Sequence, residues 1–136
     1  MNMPRGLRNN NPGNIRLNPS ITWMGQIEGT DQSFCTFDTP EDGIRALAKI
    51  IVNYQIAHHL NTVENIINRW APPVENNTMA YVNAVSRAAG VQPTDKIDVT
   101  QPTMLASIVT AIIQHENGEQ PYDVDVITNG VQEALV

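Results

Sequence analysis

The chain has 136 residues, a formal net charge of −6, 41% hydrophobic residues and 16% charged ones. That length suits a single domain, 1–136, whose core needs no metal or disulfide, and the lone Cys35 excludes an internal disulfide framework. The acidic balance argues against a nucleic-acid partner, because such affinity rests largely on Lys and Arg against phosphate.

Residues 1–14 contain no apolar h-region, so no secretory signal is expected. The apolar stretches are too short to span a bilayer, so no membrane partner is expected either. The expectation is synthesis in the cytoplasm, with delivery by other means if the protein acts elsewhere.

Taken in order, residues 1–20 are rich in Asn, Pro and Gly, with Arg5, Arg8 and Arg16 forming a small basic patch. Pro12-Gly13 suits the middle of a tight turn. Ile15 and Leu17 follow with strand-like spacing, so the Asn-rich loop is expected to be tied to ordered structure. Residues 22–27 and 33–37 read as two short strands joined by Glu28-Gly29-Thr30-Asp31. Two strands are not stable alone and must lie on helices.

Thr39-Pro40-Glu41-Asp42 is a helix start: a cap, a first-turn proline and acids at the positive end. The helix runs to about 58, with Ile44, Leu47, Ile51 and Tyr54 as its apolar stripe. Asn61 caps a second helix with Glu64 three residues on, and Pro72-Pro73 ends it. Asn77 or Thr78 opens a third, with Tyr81, Val82 and Val85 inward and Gly90 at its end. Thr100 caps the fourth, where Met104, Leu105, Ile108, Val109, Ile112 and Ile113 make the most apolar helix of the chain. That helix is expected to be central. A last helix spans about 124–135, and Gly130 inside it either weakens that helix or marks a close approach to another. The fold class is therefore mainly α, with about five helices around a central apolar helix and a small β-hairpin on one side of a cleft.

The central helix ends on a carboxylate. Ile108, Ile112 and Glu116 share one face, and Gly118 follows as a helix stop. A carboxylate on a core-directed stripe is costly unless it is neutral, paired or used. His115-Glu116-Asn117-Gly118-Glu119 begins like a zinc-protease helix, but Glu119 stands where the second His is needed. His58 and His59 are adjacent and point different ways, so no metal is expected. Cys35 lacks a nucleophile-elbow setting and reads as a small buried hydrophobe. Gly6 and Gly13 alone are too few for a phosphate-cradling loop.

Glycosidic cleavage fits better. It needs a carboxyl group that keeps its proton until the leaving oxygen takes it, and Glu116 is the candidate. Amide side chains and aromatic faces suit a glycan cleft. Asn10, Asn11 and Asn14 are candidate substrate ligands, with Trp23 and Tyr122 as candidate walls. A Glu near a helix end is more often simply solvated, and the residues alone leave both readings open.

Three stretches carry a resemblance: Asn10-Asn11-Pro12-Gly13-Asn14-Ile15-Arg16, then Trp23-Met24-Gly25, then Phe34-Cys35-Thr36-Phe37 with Thr39-Pro40-Glu41. Residues 8–47 resemble the middle of the lysozyme-like muramidases and glucosaminidases that cut peptidoglycan. The whole chain also resembles small virion-associated proteins of bacteriophages and prophages, through residues 5–16, 67–78 and the helix ending His115-Glu116-Asn117-Gly118. Related domains serve as wall-cutting toxins of contractile secretion machines.

The order departs from the lysozyme pattern, in which the helix ending in the catalytic Glu precedes the Asn-rich segment. A circularly permuted lysozyme-like α+β domain accounts for that. The resemblance implies that Glu116 is the general acid/base of a muramidase, lysozyme or lytic transglycosylase, acting on the MurNAc–GlcNAc bond. The partner would be bacterial peptidoglycan, with phage virion or secretion-machine components as further partners and no cofactor. Glu28 or Asp31 on the hairpin would be the second carboxylate, though both are equally good turn residues. The alternatives are a glucosaminidase, a non-enzymatic virion protein that binds the cell wall, and an adaptor using its acidic surface.

Overall fold

A computed structural model describes residues 3–74 and 76–136; Glu75, inside the phage-like stretch 67–78, lies outside them. The elements run α1 (Arg5–Arg8), β1 (Gln26–Ile27), β2 (Thr36–Phe37), α2 (Pro40–His58), α3 (Val63–Trp70), α4 (Thr78–Ala89), α5 (Pro102–Asn117) and α6 (Val124–Ala134). The fold is mainly helical with one small hairpin, as expected. The sixth helix is α1, a single turn inside the Asn-rich start.

α5 carries five fully buried apolar side chains: Leu105, Ile108, Val109, Ile112 and Ile113. It packs against α1, α2, α4 and α6, which makes it the central helix. α2 presents Ile44, Leu47 and Ile51 to the same core, and α3 adds Val63, Ile66 and Ile67. Burying each such side chain is worth about 1.5–3 kcal/mol.

The helix ends follow local chemistry. Thr39 Oγ1 accepts from the Asp42 amide at 3.2 Å and Pro40 takes the first turn. Asn77 Oδ1 caps α4 through the Ala80 amide at 3.3 Å. Gly90 and Gly118 close α4 and α5 in the left-handed conformation, at φ 71° and 75°.

Two caps differ from expectation. α3 is capped by Thr62, whose hydroxyl accepts from the Asn65 amide at 3.1 Å, and not by Asn61. Thr100 does not cap α5, because its hydroxyl donates to Asp98 at 2.6 Å. Asp98 also accepts from Gln55 of α2 at 2.9 Å, and these bonds, Gln55 first, hold its carboxyl at about 2.

The hairpin is shorter than its sequence suggests. Gln26 pairs with Phe37 and Ile27 with Thr36, antiparallel. Residues 33–35 pair instead with 15–17, through Cys35 N–H to Ile15 O and Leu17 N–H to Ser33 O, both 2.9 Å, around an Arg16–Phe34 bridge. The Asn-rich loop is thereby tied to the sheet. Cys35 is buried there, as expected of a small hydrophobe, and burial pushes its thiol up.

α6 lies along α2. Gly130 is buried at the crossing, where an added Cβ would lie 2.6 Å from Ile44 Cγ2 and 3.0 Å from the Glu41 carbonyl. Gly130→Ala should therefore lower stability by about 1–3 kcal/mol, measured as a drop in denaturant midpoint, while the helical circular dichroism persists.

Candidate functional site

The site forms where the Asn-rich loop meets the end of α5. The loop turns at Asn11–Asn14, closed by a bond from the Asn14 amide to Asn11 O at 2.9 Å. Asn10 and Asn14 adopt left-handed backbone, at φ 52° and 51°. Asn tolerates that region better than most residues. Gly43 of α2 leaves room for the Asn10 carbonyl, which a Cβ would strike.

Most of the asparagines spend their side chains on this framework. Asn11 is fully buried, donating to Ile15 O at 3.0 Å and Cys35 O at 2.9 Å and accepting from the Ile15 amide at 3.0 Å. Asn10 donates to Phe37 O at 3.1 Å. Asn9 donates to Asp31 at 3.1 Å. A buried irregular backbone must find partners for its polar groups, and these amides supply them. Asn10 and Asn11 therefore face the framework, and Asn14 alone of the three candidate ligands faces Glu116.

Glu116 is half-buried. Its Oε1 accepts from Asn14 Nδ2 at 3.3 Å, and its Oε2 accepts from the Tyr81 hydroxyl at 2.8 Å. Trp70 Nε1 donates in turn to Tyr81 Oη at 3.1 Å. Three helices thus converge on one carboxylate: α3 through Trp70, α4 through Tyr81 and α5 through Glu116 itself. The His115 ring stacks on Tyr81 at 3.7 Å between centroids. Next to Glu116, the buried Asn117 donates to Pro12 O at 2.8 Å and to Ile113 O at 2.9 Å, fastening the loop to the helix end.

Glu116 and Asn14 line an open groove of about 330 Å³, whose walls include Arg16, Phe34, Tyr54, Trp70 and Asn76. Glu116 is the only carboxylate among the described lining residues. Trp23 lines a neighbouring cavity of about 470 Å³ that shares Ile15, Arg16 and Ile50 with the first. The two adjoin along these three residues and together make up the trough.

Glu28 is exposed on the hairpin, in a recess of about 250 Å³ with Asp31 that adjoins the groove at Phe34 but does not contain Glu116. Asp31 is engaged in the turn: the Ser33 amide, foremost, holds its carboxyl below the usual carboxylate range. It also pairs with Arg5 at 3.4 Å. Tyr122 lines a separate cavity of about 600 Å³ bounded by α5 and α6, which Glu116 does not enter. Among the described residues no three His, Cys, Asp or Glu side chains converge as a metal set.

Sequence reading misses Tyr81, Trp70 and Asn117 as site residues. Tyr81 sits on the apolar stripe of α4, which hides its role. The available signal is its hydroxyl, since a buried Tyr needs a polar partner.

Burial, and then the negative charge of Glu116, push the Tyr81 hydroxyl far above its ordinary 10.0. Burial alone pushes Tyr122 up to about 12. A group that holds its proton more tightly when folded contributes stability that is complete below the unfolded value and lost as pH rises through the folded one. Stability should therefore decline from about pH 10 upward. Tyr122→Phe, which removes one such group, should flatten the decline in denaturation curves taken between pH 10 and about 12.

No family model matches the chain. It is similar to protein P5 of Pseudoalteromonas phage PM2, with 41% identity over 132 residues that cover 94% of this chain and 80% of that protein. At that identity over nearly its whole length, the chain belongs to the family of this phage protein.

Proposed function

We propose that the protein is a peptidoglycan-cleaving muramidase that cuts the MurNAc–GlcNAc bond, with Glu116 as general acid and then base. The observation that carries this reading is the position of Glu116 in the trough. It is the sole described carboxylate there, held on one oxygen by Asn14 and on the other by Tyr81. Each oxygen accepts one bond within the chain and, of the two positions a carboxyl oxygen offers, keeps one that can carry the proton or meet substrate. Membership in a phage protein family agrees with an enzyme that opens a bacterial wall.

In the proposed reaction, Glu116 gives its proton to the glycosidic oxygen as the bond to C1 breaks. The resulting carboxylate then takes a proton from the nucleophile. A lytic transglycosylase uses the sugar's own C6 hydroxyl as nucleophile and so needs no second carboxylate. The lone described acid in the groove favours that branch over a two-carboxylate hydrolase. The Tyr81 hydroxyl, which stays protonated across the working range, would hold Glu116 in one rotamer through both steps.

A second reading has its own support. Both Glu116 oxygens already accept hydrogen bonds within the chain, as they would in a helix brace. On that reading the protein is a virion component that binds the wall without cutting it.

Glu116→Gln should lower release of soluble muropeptides from purified sacculi by about 10²–10⁴-fold, with an unchanged circular dichroism spectrum. Full activity in that variant would sink the assignment, and wild-type binding without release would favour the second reading. Tyr81→Phe should reduce release by roughly tenfold through the lost bond to Glu116. Mass spectrometry of the digest separates the branches: 1,6-anhydro ends mark a transglycosylase, reducing MurNAc ends a hydrolase, and reducing GlcNAc ends a glucosaminidase.

A further inference from the structure

The chain carries eight basic residues against fourteen acidic ones, yet the trough shows the opposite balance. Arg16 lines both of its halves, and Lys49 lines the half that holds Trp23. No described acidic residue other than Glu116 lines either half. Among the described residues, the one ion pair is Arg5 with Asp31, and neither Arg16 nor Lys49 is paired with a described carboxylate.

Arg16 is also held in place. Its guanidinium lies 5.0 Å from the centroid of the Phe34 ring, a groove wall. The ring face attracts the guanidinium, whose outward N–H groups stay available for an anion. Arg69 repeats the arrangement at 5.5 Å over Tyr54, another wall of the same groove.

A glycan of N-acetylglucosamine alone is neutral and would gain little from such cations. Peptidoglycan differs, because the peptide stems on its lactyl groups carry free carboxylates. We propose that Arg16 and Lys49 form a docking subsite for the carboxylates of the peptide stem, so that the protein selects stem-bearing glycan over bare glycan. This rests on the peptidoglycan reading above, but it concerns binding and stands apart from cutting.

The test uses the full chain carrying Glu116→Gln, so that substrate is not consumed. Binding is measured to immobilised fragments of intact sacculi and to immobilised glycan strands stripped of their stems by an amidase, whose freed lactyl carboxylates are then capped as methylamides. Intact sacculi should bind roughly tenfold more tightly, with the preference shrinking as salt is added. Adding Arg16→Gln and Lys49→Gln should bring the two affinities together, and the charge-keeping pair Arg16→Lys and Lys49→Arg should retain most of the preference. Equal binding to both glycans, binding to neither, or a preference that survives the neutral substitutions overturns the subsite. Muropeptide release by the wild type is scored in parallel. A stem preference without release removes the enzyme and leaves the subsite standing.

Discussion

A buried amide fastens the Asn-rich loop to the end of α5. Asn117 donates to the Pro12 carbonyl across 105 positions of sequence, and to Ile113 one turn back on its own helix. Leaving such a buried group unpaired costs about 1–3 kcal/mol, so the loop and the end of α5 hold each other strongly. Asn14 meets Glu116 because this bond seats the turn at Asn11–Asn14 against the helix. Gly118 then turns the chain away in the left-handed conformation. The side chains at 116 and 117 thus divide two tasks, one facing the groove and the other locking its wall.

The rest of the loop obeys the same constraint. Irregular backbone inside a protein has no helix or ladder to satisfy it, so side-chain amides take over. Asn11 imitates a strand partner for both Ile15 and Cys35. Asn10 secures the end of β2. An Asn-rich segment therefore serves first as a frame, and one of its members is left to face the groove. On the far side of Glu116, the Trp70 and Tyr81 side chains bring a polar link through otherwise apolar packing.

Charge is distributed with comparable economy. The protein is acidic overall, a poor general match for an anionic polymer. Three of its cations nevertheless lie at the trough: Arg16 and Lys49 in its lining, and Arg69 over the ring of Tyr54. Exposed charges farther apart than the Debye length, about 8 Å at physiological salt, are largely screened from one another. Within the trough the local cations dominate, and the overall sign decides little.

The helices are legible in the sequence because their signals are local. Thr39-Pro40 starts α2, and the spacing of Ile108 and Ile112 makes α5 the apolar centre. Glu116 is also visible, as a charge at the end of an apolar stripe. Caps are less secure, since Thr100 has two partners within reach and Asp98 wins its hydroxyl. The direction of each loop side chain is not local at all. Asn10, Asn11 and Asn14 are identical in type and nearly adjacent, and only the positions of β2, Cys35 and α5 decide which of them turns inward. Tyr81 and Trp70 look like plain core residues until three helices pack and their polar tips meet one carboxylate. Periodicity and capping chemistry, which act over a few residues, were enough to specify the elements. The site depends on contacts between residues as far apart as 14 and 116, and only packing brings those together.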